Sequence, residues 1–327
     1  MPQICVGTAA ADNLCACADK SIDYVDIIYG LAGDDTLAGG WGADILDGGA
    51  GGESIGDTVD YCCINPTTLS VFGPGFQGVM VRLDLGWAID RYNLTDTVFN
   101  FENIIGSCNP NWTDVLIGDG QNNRIWGRQG PDSIGGLNGN DWLWGENGKD
   151  TLDGGIGNDT LWGGNGVDLL YGGNGKDELW GENHNDILSG GIGNDSLWGG
   201  GGNDVLAGGN GKDELRGEVG DDVFDYNSTS ESLPSSRDVI GDFSSPSGSP
   251  ERIDLFDIDA KPATTVNDAF TFIGTAGFSL PGEVRYDPPS NGVSPTVIQV
   301  NTAGTGGAEM EIELTGNIAL DGGDFIL

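Results

Sequence analysis

The chain has 327 residues, 51 of them acidic and 13 basic, for a formal charge of −38. So negative a molecule repels nucleic acid and anionic membrane and excludes both as natural partners. No apolar run approaches the roughly 18 residues of a membrane-spanning helix.

Residues Met1 to Lys20 lack a basic residue ahead of their short apolar stretch and run into Asp12, which is not the form of a secretory signal peptide. A nine-residue period begins almost at once. Gly7 to Cys15 is a worn unit, Ser21 to Tyr29 keeps Asp26 and Ile28, and Gly30 to Ala38 and Gly39 to Asp47 are good copies with Asp35 and Asp44. Gly48 to Gly56, with Glu53 at the acidic position, closes this first block. From Asp57 to Ser107 the period is lost and alternating strands are predicted, clearest in Val79-Met80-Val81-Arg82-Leu83-Asp84-Leu85.

From Asn109 to Asp225 thirteen nine-residue units follow without insertion or deletion, most of them G-G-x-G-x-D-x-U-x with U a large apolar residue. The sixth position is Asp114, Asp132, Asp141, Asp150, Asp159, Asp168, Asp177, Asp186, Asp195, Asp204, Asp213 and Asp222, with Asn123 the exception. The eighth is Leu, Ile or Phe throughout. Three glycines within four positions permit the positive φ of a tight turn, so the first six residues are predicted as turn and the last three as a short strand. A period of two sends the eighth side chain one way and its neighbours the other. One such strand buries its single apolar residue only against a second, so two units make one coil of a flattened roll. Stacked coils bring each Asp to about 5 Å from the Asp eighteen residues away, a repulsion of roughly 3 kcal/mol at an effective dielectric near 20. A cation must intervene, and carboxylates with loop carbonyls suit Ca²⁺ better than Mg²⁺ or zinc.

This repeat resembles that of the RTX (repeats-in-toxin) calcium-binding proteins. The resemblance implies an all-β fold, a right-handed parallel β-roll solenoid in two blocks with an irregular β insert and a β-rich C-terminal cap. The predicted division is 1–56, 57–107, 108–225 and 226–327. Glu102-Asn103-Ile104-Ile105-Gly106-Ser107 is similar to the sequence by which such proteins re-enter the repeat. In the tail, Asp222 to Tyr226, Asp238 to Phe243, Arg252 to Leu255, Gly282 to Tyr286 and Asp324 to Leu327 resemble the C-terminal domain of serralysin-type secreted metalloproteases. That resemblance implies a cap whose last residues are read by a type I exporter, and hence a secreted bacterial protein at the cell surface or beyond. Asn301 to Gly307 departs from it, replacing an Asp-rich loop.

The protease is not implied. A zincin needs two histidines one helical turn apart, and this chain has only His184, at the third glycine position of its unit. No G-x-S-x-G elbow is present either, so no enzyme is expected. The ninth position of alternate units is Trp126, Trp144, Trp162, Trp180 and Trp198, predicted to stack on one outer face with Trp142 beside them. This strip is either packing for its own sheet or an interface, and a polysaccharide grip by ring stacking is the alternative. All six cysteines, Cys5, Cys15, Cys17, Cys62, Cys63 and Cys108, lie outside the regular block and are candidates for disulfides, internal or between subunits. Only Met1 to Val6 precede the first worn unit. An uncapped roll end exposes strand edge, and a head-to-tail contact that does not close yields a filament. The predicted function is therefore a secreted, calcium-dependent structural protein that self-assembles.

Overall fold

The computed structural model describes residues 4–6, 13–15, 27–32, 34–38, 44–49, 57–60, 80–89, 95–244, 251–258, 269–289, 295–303, 307–316 and 318–327. Among them the regular structure is β-strand apart from two short 3₁₀ turns, and no helix is long and apolar enough to cross a membrane. The chain forms two compact units, Met1–Asp168 and Leu169–Leu327.

Each unit is a β-roll of two sheets, and the eighteen-residue coil sets its register. Leu143 lies opposite Leu161 in the first unit, and Leu170 opposite Leu188 and Leu179 opposite Leu197 in the second, all in parallel pairs. The period of two places these residues inside: every eighth-position side chain from Leu116 to Phe224 is at most 2% exposed. Burying each contributes about 1.5–3 kcal/mol, and the column admits no polar substitute without loss.

The strands are longer than the sequence suggests. Thr160–Asn165 and Leu169–Asn174 are typical six-residue strands that run through the first three positions of the following unit. Gly164 has φ +103°, yet Asn147 still pairs with Asn165 beyond the bend. Identical loops one coil apart bend together, so the ladder survives a turn that would end an isolated strand.

In the first unit, the stretch that loses the period still feeds both sheets. Met80–Arg82, Trp87–Ile89 and Thr95–Phe99 form an antiparallel meander. Its outer members pair in parallel with the roll, Val98 opposite Leu46 and Val81 opposite Leu116. Val81, Ala88 and Val98 are fully buried, so the meander carries the inner apolar column across the gap. The predicted strand over Val79–Leu85 stops at Arg82. There Arg82 binds Asp84 through two bonds of 2.7 and 2.8 Å, and Gly86 turns the chain at φ +72°. In the opposite sheet Asn103–Ile105 lies between Thr58–Asp60 and Arg124–Gln129, with Ile104 opposite Val59 and Ile125.

In the second unit the roll continues past the repeats. Asp238–Ile240 adds to one sheet and Arg252–Asp254 to the other. The first sheet then ends in Met310–Leu314, Thr296–Asn301, Glu283–Asp287 and Thr271–Phe272, and Thr296–Asn301 runs antiparallel to both its neighbours. The second sheet ends with Phe325–Ile326 beside Arg252–Asp254. Asp321 and Asp324 form a reciprocal capping box on the turn before it.

Candidate metal centre

The sixth-position aspartates sit at the mouths of the strands, where the glycine turn delivers the chain into the ladder. Asp35, Asp44, Asp114, Asp132, Asp141, Asp150, Asp159, Asp168, Asp177, Asp186, Asp195, Asp204, Asp213 and Asp222 are all at most 3% exposed. Within each unit they form columns. One carboxylate oxygen of each accepts the backbone N–H of the residue one coil earlier. Asp114 donates to Asp132, Asp132 to Asp150 and Asp150 to Asp168, at 2.7–2.8 Å. Asp141 donates to Asp159 at 2.8 Å. In the second unit Asp177 donates to Asp195, Asp195 to Asp213, Asp186 to Asp204 and Asp204 to Asp222, at 2.8–2.9 Å.

The other oxygen decides the chemistry. Oδ2 of Asp132, Asp141, Asp150, Asp195, Asp204, Asp213 and Asp222 is buried and meets no hydrogen-bond donor. It faces the space left by the first glycine of its unit. A Cβ on Gly145 would lie 2.5 Å from Asp150 Oδ2 and 2.6 Å from the Gly163 carbonyl oxygen, and one on Gly190 would lie 2.6 Å from both Asp195 Oδ2 and Gly208 O. A buried carboxylate oxygen and a carbonyl oxygen thus converge where only glycine leaves room. Two acceptors with no donor between them fit a hard cation that takes mixed carboxylate and carbonyl ligands. Among the described residues no three His, Cys, Asp or Glu side chains converge as in a centre built of side chains alone.

Without a cation the carboxylates are held far from their usual range. Burial, reinforced by like-charged neighbours, pushes Asp132 up to about 9. Burial likewise raises Asp141, Asp150 and Asp195 to about 7, and Asp204 and Asp213 to about 6. The N–H received from the previous coil opposes the rise in each of these six groups.

Asn123 shows what the column does without a carboxylate. Its Nδ2 donates to the Glu102 carbonyl at 2.9 Å and its Oδ1 accepts from Asp119 N–H at 2.8 Å. Asp114 also differs, since its Oδ2 accepts Ser107 N–H at 2.6 Å. Four acidic residues occupy column positions that the nine-residue count misses. Asp57 accepts from Asp35 N–H, and Asp57 N–H donates to Glu102, both at 2.8 Å. Asp238 accepts from Asp213 N–H at 2.9 Å, and strand register places Glu251 beside Asp222. Their signal was the acidic residue directly before a short strand with an apolar centre, as in Asp57-Thr58-Val59-Asp60. The irregular spacing in front of them hid it.

The tryptophans stack as the register requires. Trp126 and Trp144, and Trp144 and Trp162, lie 4.8 Å apart within 2° of parallel, and in the second unit Trp180 and Trp198 lie 4.6 Å apart at 4°. Trp142 is 42% exposed, meets Trp144 edge-on at 6.2 Å and carries the Arg124 guanidinium 4.5 Å above its ring. His184 is exposed in the turn at φ +83°, where the repeat places glycine, and its Nδ1 lies 2.8 Å from the Asn183 carbonyl oxygen. Of the cysteines, Cys5 and Cys15 are placed by backbone within strands, Cys108 is at the surface, and Cys17, Cys62 and Cys63 lie outside the described residues.

Comparison with known proteins agrees with this geometry. The family "RTX calcium-binding nonapeptide repeat (4 copies)" matches at residues 22–52, 113–143, 127–161, 162–197 and 198–228. Two solved structures also match: the solution structures of the AlgE6R3 and AlgE6R2 subunits from the Azotobacter vinelandii mannuronan C5-epimerase. They are 26% and 23% identical over 49% of this chain and 80% and 88% of their own, each with a TM-score of 0.32. No curated protein matches the chain. Its β-roll is built of RTX calcium-binding nonapeptide repeats, with the glycine turns and aspartate columns that the family's name describes.

Proposed function

We propose that this is an extracellular bacterial structural protein whose roll folds around calcium. The ions are held by the sixth-position aspartates, Asp35, Asp44, Asp114 and Asp132 through Asp222, together with glycine-loop carbonyls. The observation that carries this reading is the set of buried Oδ2 atoms with no donor, each converging with a carbonyl or a glycine gap. Where free calcium is scarce, as in a cytosol, the columns repel and the chain stays extended enough for a type I exporter. Outside, binding to the folded state alone stabilises it by about 2.7 kcal/mol per site at a hundredfold excess over Kd. No catalytic centre is proposed.

Self-association is the second part of the proposal. The half-buried indole stacks and the exposed Trp142 support a lateral seam between copies, and disulfides among Cys5, Cys15, Cys17, Cys62, Cys63 and Cys108 would staple subunits or assemblies formed in an oxidising medium. A polysaccharide is the alternative occupant of that face. The parallel indoles offer their faces largely to one another, which favours packing over a grip on sugar rings. The test is far-ultraviolet circular dichroism and light scattering of the full chain, with chelator and then with millimolar calcium. A coil-to-β transition followed by growth in scattering is expected. An equally strong β signal in chelator would remove the calcium reading, and a persistent monomer in calcium would remove the assembly.

A further inference from the structure

The nine-residue pattern stops at Asp225, but one aspartate column does not. Asp213 donates its N–H to Asp238 Oδ1 at 2.9 Å, the same bond that Asp195 makes to Asp213 at 2.8 Å one coil earlier. Asp238 is 0% exposed, and its Oδ2 meets no donor. Tyr226 is also 0% exposed, with a hydroxyl that has no hydrogen-bond partner. The phenol is close to Asp238, Asp213 and Glu231, whose charges add to burial in raising its pKa. Beyond Asp238 the column changes character. Asp238 N–H goes to Ser232 Oγ at 2.8 Å, and that hydroxyl donates to the Glu311 carbonyl at 2.5 Å. A neutral hydroxyl ends the run of carboxylates there.

The coil before this step also loses a ligand. At Gly190 and Gly199 the oxygen facing the carboxylate is a glycine carbonyl of the next coil, Gly208 O or Gly217 O. At Gly208 the three nearest atoms all belong to Asp213. We infer that the Asp213–Asp238 step is a further divalent-cation site of the calcium class, outside the repeats, in which Tyr226 Oη takes the place of the missing glycine carbonyl. Three buried oxygens without donors, Asp213 Oδ2, Asp238 Oδ2 and Tyr226 Oη, then share one ion. This inference rests on the calcium reading of the columns and extends it to residues the repeat does not contain.

The experiment counts calcium bound to the full chain at saturation by equilibrium dialysis, for the wild type, Asp238→Asn, Tyr226→Phe and, as a control within the repeats, Asp195→Asn. Asp238→Asn is expected to bind fewer ions than the wild type while keeping the β signal in calcium. Tyr226→Phe preserves the packing of the ring and is expected to weaken the last ion about tenfold. If Asp195→Asn lowers the count and Asp238→Asn does not, the ions are confined to the repeats and the inference falls. If Asp238→Asn fails to fold, Tyr226→Phe decides, and a calcium titration identical to wild type overturns the site. A wild type that binds no calcium is a different result, and removes the reading beneath it.

Discussion

At the scale of single residues, the column discriminates between one oxygen and one N–H. Asn123 fills an aspartate position by donating to the Glu102 carbonyl, so that step of the ladder is satisfied by hydrogen bonds alone. Asn123→Asp would replace the donor with a second acceptor facing a carbonyl. Its expected effect is a chelated protein with less β structure and a calcium-loaded protein with at least as many ions, read by circular dichroism and dialysis. The raised carboxylates set the response to pH. An acid whose pKa rises on folding holds more protons in the folded than in the unfolded state, between about pH 4 and the raised value. Calcium-free stability is therefore present below about pH 4 and is lost as pH climbs through the values of about 6 to about 9 held by Asp204, Asp213, Asp141, Asp150, Asp195 and Asp132. Calcium must displace those protons, so its apparent affinity rises over the same window. Chelated protein should show a stronger β signal at pH 5 than at pH 8, and a signal flat across this range would contradict the buried, donor-free environment.

At the scale of the element, the turn is as demanding as the strand. Gly166 has φ +158°, and a Cβ there would overlap the carbonyl of Gly148 one coil away. Gly166→Ala should cost at least about 1–3 kcal/mol from backbone conformation alone, lowering the melting temperature in saturating calcium. The inner column and the paired outer indoles were legible in the sequence because both follow from a period that never slips between Asn109 and Asp225. Strand length was not. A Gly-Gly-x run considered alone is turn, and only the identical run eighteen residues away keeps Asn147 paired with Asn165. Likewise Val79 to Leu85 alternates as a strand should, but the Arg82–Asp84 ion pair and the turn at Gly86 close it early. Neither interaction leaves a periodic trace.

At the scale of the whole molecule, the charge of −38 and the fold are one problem. Net charge of this size opposes compaction, and the described columns place many of its carboxylates where only a cation relieves them. What the sequence left unseen belongs to this scale too. Asp57 and Glu102 are linked across forty-five residues and Asp213 and Asp238 across twenty-five, because a ladder requires three residues in register and is indifferent to what loops out between them. Inside the regular block, by contrast, the two-sheet coil imposes a parity rule. Removing Ile187 to Asp204 takes out one full coil and joins Asp186 to Val205, so every later strand keeps its sheet. Removing only Ile187 to Asp195 takes out half a coil and sends Ser196–Gly201 to the opposite sheet, carrying Trp198 away from Trp180 and exchanging the two aspartate columns from there on. The longer deletion should therefore fold with calcium more readily than the shorter one, an order that near-ultraviolet circular dichroism of the indoles would reveal. Length in such a chain is inherited in even numbers of repeats, and odd numbers change which face a residue belongs to.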